Sequence, residues 1–137
     1  MPFKVLVYAH RLPAVTPETF KQRYEAHIQL FKRLVGDAFP ISHRRIYISR
    51  TQIDAPLDHD PSHNATTPAT VIVGQPSDYD YDCLAEMTFA DQASWEACVA
   101  RVRAPEISAQ IAADEDQFFD RSKTGVVVVG DVVETCK

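Results

Sequence analysis

Apolar positions change their period several times along this chain, and each change marks an element. Phe3 to Tyr8 (FKVLVY) is a short apolar run with β-branched residues, the pattern of a buried strand. Thr16 then offers an N-cap, Pro17 takes the first helical position, and Val15 can staple onto Phe20. The helix they open is expected to run to about Val35 and to stop at Gly36. At one turn per 3.6 residues, Phe20, Tyr24, Phe31, Leu34 and Val35 share one stripe, while Lys21, Glu25, Gln29, Lys32 and Arg33 take the opposite side. His27 projects within about 20° of Phe20. An ionisable ring therefore stands in the middle of the face that should pack.

Ile41 to Arg50 (ISHRRIYISR) alternates as a second strand, with Ile41, His43, Arg45 and Tyr47 on one side and Ser42, Arg44, Ile46 and Ile48 on the other. Thr51 to Asp80 is rich in Pro, Asp, Ser, Thr and Asn, and a loop of that length in a compact domain is usually a lid, a binding loop or mobile. A short extra strand is expected within it at Thr70 to Val73. Tyr81 to Phe89 reads as the third strand. Asp91 caps a helix bearing Trp95, Val99 and Val102 on one face, and a further helical segment from Pro105 turns Ile107, Ile111 and Phe118 inward. Gly125 to Val133 (GVVVVGDVV) is expected as a fourth strand buried on both faces. The order is strand–helix–strand, loop, strand–helices–strand. It predicts an α+β fold: a ferredoxin-like four-stranded antiparallel sheet with helices on one face, in one domain spanning 1–137. Too little helix remains for the second face of the sheet, so a homodimer through that face is expected.

Composition narrows the function. Of 137 residues, 45% are apolar, which excludes disorder, and a net charge of −5 argues against nucleic acid as the partner. No stretch approaches the roughly 20 apolar residues of a membrane helix. Nothing near the N-terminus resembles a signal peptide, so a cytoplasmic location without membrane partners is expected. Cys83, Cys98 and Cys136 are odd in number and widely spaced, which points to small apolar core residues for the first two, not to a disulfide framework or a metal site. The run Asp58-His59-Asp60-Pro61-Ser62-His63 has no ligand spacing on a rigid element, so no metal is expected there.

The opening strand, the helix start Pro13 to Phe20 (PAVTPETF), Tyr24-x-x-His27, the strand HRRIYI, and the acidic segment Asp114 to Asp120 (DEDQFFD) together resemble the EthD domain of the dimeric α/β-barrel superfamily. More narrowly, the chain is similar to a fungal branch of decarboxylases and dehydratases that accompany polyketide synthases. The resemblance implies a cofactor-free lyase that binds a multi-ring phenolic product between sheet and helices and works with histidine, tyrosine and aspartate. Haem-binding relatives in the superfamily use a helix histidine as axial ligand.

Within that frame His27 is the first candidate for acid-base catalysis, since an imidazole titrates near neutral pH and its aromatic neighbours Tyr24 and Phe31 suit a planar substrate. The rival reading is a core histidine bonded to a backbone carbonyl. His10, at the end of the first strand, is a candidate second acid or base. His43 and Tyr47 join the catalytic candidates, and Arg45 could pair with a substrate carboxylate, if their strand face meets the helix; facing a partner subunit, they become interface groups. Tyr8 and Trp95 are further candidates for substrate contact, although Trp95 also suits a core anchor. His63 could swing over a ligand from the loop. The expectation is a decarboxylase or dehydratase acting on an aromatic polyketide without cofactor. The alternative is a non-catalytic dimeric module for a phenolic ligand or haem.

Overall fold

A computed structural model describes residues 1–56 and 62–137. His59, with Asp58 and Asp60, lies outside them. Four strands, β1 (Phe3–Ala9), β2 (Ser42–Tyr47), β3 (Cys83–Phe89) and β4 (Gly125–Val128), form one sheet in the order β2-β3-β1-β4. Every pairing is antiparallel. Helices α1 (Pro17–Val35), α2 (Gln92–Val102) and α3 (Pro105–Glu115) supply the second layer. The fold is α+β, with the strand order expected of a split β-α-β arrangement.

Strand periodicity divides the sheet's two faces. The register aligns Val7 with Ala85 and Val126, and His43 with Met87. That alternate set faces the helices and holds the buried Val5, Ala9, Cys83, Ala85 and Phe89. The other set, with Leu6, Tyr8, Leu84, Ile46 and Val127, lies on the face opposite these core residues. Cys83 and Cys98 are buried free thiols, as their apolar character anticipates.

The start of α1 follows its sequence signals. The Thr16 side chain accepts the Thr19 N–H, and Pro17 opens the helix. Gly36 ends it with φ +57°, and its N–H bonds the Lys32 carbonyl. A Cβ there would meet Arg101 Nη1 at 3.2 Å, the same guanidinium that donates to the Val35 carbonyl. Phe20 and Tyr24 of α1 pack on Phe118 and Phe119, whose rings stand 4.4 Å apart in the turn after α3. Phe118 thus points inward from a turn and not from the helix itself. That turn is stitched to the exit of β1, because Leu12 N–H bonds the Phe118 carbonyl and Asp120 N–H bonds the His10 carbonyl.

Three expectations change. The Thr70 to Val73 segment is no strand: Ile72 is 97% exposed, and pairing is confined to an Arg50–Ala69 bridge. β2 is shorter than its alternating pattern. β4 ends at Val128 and is not buried on both faces within this chain, because it forms an edge of the sheet and Val126, Val127 and Val128 are each at least half exposed.

The long loop is packed down by charge. Arg11 and Asp82, both almost wholly buried, stand 3.2 Å apart. Arg11 donates to the His63 carbonyl, Asn64 Oδ1 and Thr67 Oγ1, while His63 Nε2 lies 2.7 Å from Asp82. Among the described residues, no helix is long and apolar enough to cross a membrane.

Candidate active site

Between the helix-facing side of the sheet and all three helices lies a cavity of about 310 Å³. Small-molecule sites begin at about this size. Val7, Met87 and Val126 come from the sheet, Ile28 and Phe31 from α1, and Trp95 and Val102 from α2, so most of the lining is apolar. Its polar groups are few: His27, Tyr24, His43, Glu115, Thr124 and Arg103.

His27 reaches this wall because the α1 stripe packs inward, and its side chain is only 6% exposed. Its Nδ1 is 2.7 Å from Asp114 Oδ2, and its Nε2 is 3.9 Å from Glu115 Oε2. An ionised carboxylate only accepts, so the short contact places a proton on Nδ1 and leaves the Nε2 lone pair free in the neutral ring. Burial pushes the Glu115 carboxyl above the usual carboxylate range, opposed by His27. The two acids close the last turn of α3, and Asp114 is 87 residues from His27 in sequence.

The strand-two candidates face the helices. His43 lines the cavity, and burial, aided by the nearby Arg45 cation, pushes its imidazole down to about 4. Arg45 forks onto Glu25 at 2.5 and 3.0 Å, and its other terminal nitrogen lies 3.0 Å from His43 Nδ1. Tyr47 donates to the same Glu25 at 2.6 Å. Arg45 is therefore committed within the chain, and neither it nor Tyr47 is among the residues lining the cavity. The permanent cation at the wall is Arg103, at the C-terminal cap of α2, and none of the ion pairs among the described residues uses it.

Tyr24, Phe31 and Trp95 line the cavity. Trp95 also anchors the core, against Phe3 and Phe89. Other candidates stand elsewhere. Tyr8 is on the opposite sheet face, its ring 5.1 Å from Tyr81, because it alternates with Val7 and Ala9. His10 neighbours His63, with ring centres 6.1 Å apart, and burial holds its imidazole below the ordinary range. His63 is not poised as a lid: it is locked between Asp82 and, at 3.7 Å, Asp80. These side chains belong to the clamp beneath the loop.

Burial pushes the Cys98 thiol in the cavity wall up to about 11 and that of Cys83 to about 12, so both are protonated and neither is a ready nucleophile. Among the described residues, no group of three His, Cys, Asp or Glu side chains is gathered that could hold a metal ion. Reasoning from sequence passed over Asp114, Glu115 and Arg103 as site groups. The acidic run was visible, but nothing local marked which of its members meets His27.

An α+β domain with a helix-covered antiparallel sheet, and a mostly apolar cavity whose wall carries a histidine paired with an aspartate, is the class of protein these observations define. The EthD domain matches residues 12–122, and the chain belongs to that family. No curated protein matches the chain.

Proposed function

We propose that this chain is a cofactor-free lyase that removes carbon dioxide or water from an aromatic polyketide in fungal secondary metabolism. The observation that carries the reading is the His27–Asp114 contact of 2.7 Å at the wall of a mostly apolar cavity. Asp114 orients the ring and holds the Nδ1 proton, so the Nε2 lone pair can take a proton from bound substrate. Glu115, whose carboxyl burial pushes above the usual carboxylate range, lines the same wall and is the candidate to return one. Phe31, Trp95 and Met87 offer flat and adaptable apolar surface for fused rings.

Both reactions carry their own electron sink. In decarboxylation of a β-keto acid, the bond to the carboxylate breaks, its electrons pass into the substrate carbonyl, and the resulting enolate is protonated on carbon. In dehydration, a base removes the α-proton, electrons form the double bond, and the β-hydroxyl leaves with a proton from an acid. Orientation, one base and one acid suffice for either. Arg103 would anchor a substrate carboxylate, the role that sequence reasoning gave to Arg45. The helix-free sheet face suits a second copy of the chain, giving a cytoplasmic homodimer with the helices outside.

The test is incubation of purified protein with a tricyclic β-keto acid and, separately, with a hemiketal pyrone, followed by mass for loss of carbon dioxide or water. No loss above a protein-free control would overturn the lyase reading. The rival, a non-catalytic module for a phenolic ligand or haem, predicts binding without turnover. Haem does not suit these residues, since an acidic side chain lies 3.9 Å from Nε2, the atom an axial iron would need. A Soret band in the purified protein would show otherwise.

A further inference from the structure

The two histidines of the cavity are held by opposite kinds of neighbour. His27 Nδ1 faces a carboxylate, which only accepts, whereas His43 Nδ1 faces Arg45 Nη1 at 3.0 Å. A guanidinium has no lone pair to offer and only donates. The His43 nitrogen facing it must therefore be the acceptor, and the ring proton must sit on Nε2. Arg45 is not free to turn away. Its Nη1 also donates to the His43 carbonyl at 2.9 Å, and its Nε and Nη2 are clasped by both oxygens of Glu25 on α1. Such two-pronged carboxylate–guanidinium pairs fix direction as well as distance.

We propose that Glu25 is a positioning residue: by clasping Arg45 it fixes His43 as a neutral Nε2–H donor in the cavity wall, the tautomer opposite to that of His27. One ring then offers a lone pair and the other a hydrogen. The chemical complement is a ligand with an oxygen that gains negative charge, such as a carbonyl becoming an enolate, opposite a carbon that loses or gains a proton. A neutral donor suits that task because it does not surrender its proton as the pH changes. The other charged or titratable neighbours of His43 are Glu25, Tyr24, His27 and, across the cavity, Glu115. The catalytic use of the donor rests on the lyase reading; the tautomer does not.

Long-range proton–nitrogen correlation spectra of the nitrogen-15-labelled full chain read each ring directly. The expected wild-type result is a neutral Nε2–H pattern for His43 that persists unchanged from pH 7.5 to pH 5.5, both roughly a unit from an ordinary histidine midpoint. Arg45→Met and Glu25→Ala should each turn the single Nε2–H pattern of His43 into a mixture of tautomers, while burial still keeps the ring neutral over that range. Tyr47→Phe, which removes the other bond on Glu25 but leaves the fork, should not. An Nδ1–H pattern, ordinary titration in the wild type, or an unchanged His43 in Glu25→Ala would overturn the proposal. If a variant fails to fold, the wild-type spectrum and Tyr47→Phe still decide. Turnover of the tricyclic β-keto acid is measured separately. A lyase reading that fails there leaves the spectra to stand alone, and inverted spectra leave the lyase reading intact.

Discussion

Removing the Arg11 guanidinium tests whether charge, and not only packing, holds the long loop to the domain. Arg11 is 3% exposed and reaches Asp82, the carbonyls of Val15 and His63, Asn64 Oδ1 and Thr67 Oγ1. Arg11→Met fills most of the same volume but leaves those acceptors without their donor. Asp82 keeps His63 at 2.7 Å and Arg50 at 3.6 Å, so its charge is not wholly orphaned. Breaking one side of a buried ion pair costs about 3–5 kcal/mol. A chain of this length loses about 3–4 °C of Tm per kcal/mol, so the expected fall is roughly 10–20 °C. Arg11→Lys keeps charge but not the fork, and should fall in between. Thermal unfolding by circular dichroism gives the Tm, and thermolysin digestion under native conditions reports release of the 51–80 segment. An Arg11→Met protein melting within about 3 °C of wild type, with unchanged cleavage, would refute the reasoning.

Four other outcomes are expected. His27→Ala should lower kcat by about 10²–10⁴-fold, and His27→Gln, which cannot titrate, should do the same; wild-type turnover of the β-keto acid in a folded variant would remove His27 from the mechanism. Arg103→Met should raise KM for a carboxylated substrate by about tenfold or more, the value of a charged hydrogen bond, and should leave binding of a neutral phenol unchanged. Acid should destabilise the fold through His43. With its folded value near 4 and an unfolded value near 6.5, the unfolded chain binds more protons between them, so stability is full above that window and falls by roughly 3 kcal/mol as pH drops through it. His43→Gln should flatten that slope in urea titrations from pH 7 to pH 4.5, and an unchanged slope would contradict it. Light scattering at micromolar concentration should return twice 15.4 kDa, whereas a monomer would end the dimer reading.

Local pattern alone determined much of this protein. The Thr16–Pro17 start and Gly36 stop of α1, the apolar run of β1, the alternation in β2, and the inward stripe carrying His27 all follow from interactions within a few residues of one another. Such interactions are written in adjacent positions, which is why periodicity reads them. The EthD likeness was legible for the same reason, since its motifs are short and ordered.

What only the tertiary structure decided are the meetings between distant positions. Asp114 becomes the partner of His27 because the turn after α3 is stitched to the exit of β1, bringing together residues 87 apart. Arg45 looked free to receive a substrate carboxylate, but packing β2 beneath α1 delivered it to Glu25. Tyr8 and Val7 are neighbours in sequence yet stand on opposite faces, so one residue of register separates the cavity wall from the helix-free face. His63 sits in a loop whose composition suggests solvent, and the buried Asp82 charge drew it inward. Charge pairing carries no period and acts across any separation in sequence. It becomes visible only when the folded chain has set both partners within reach and shut water out.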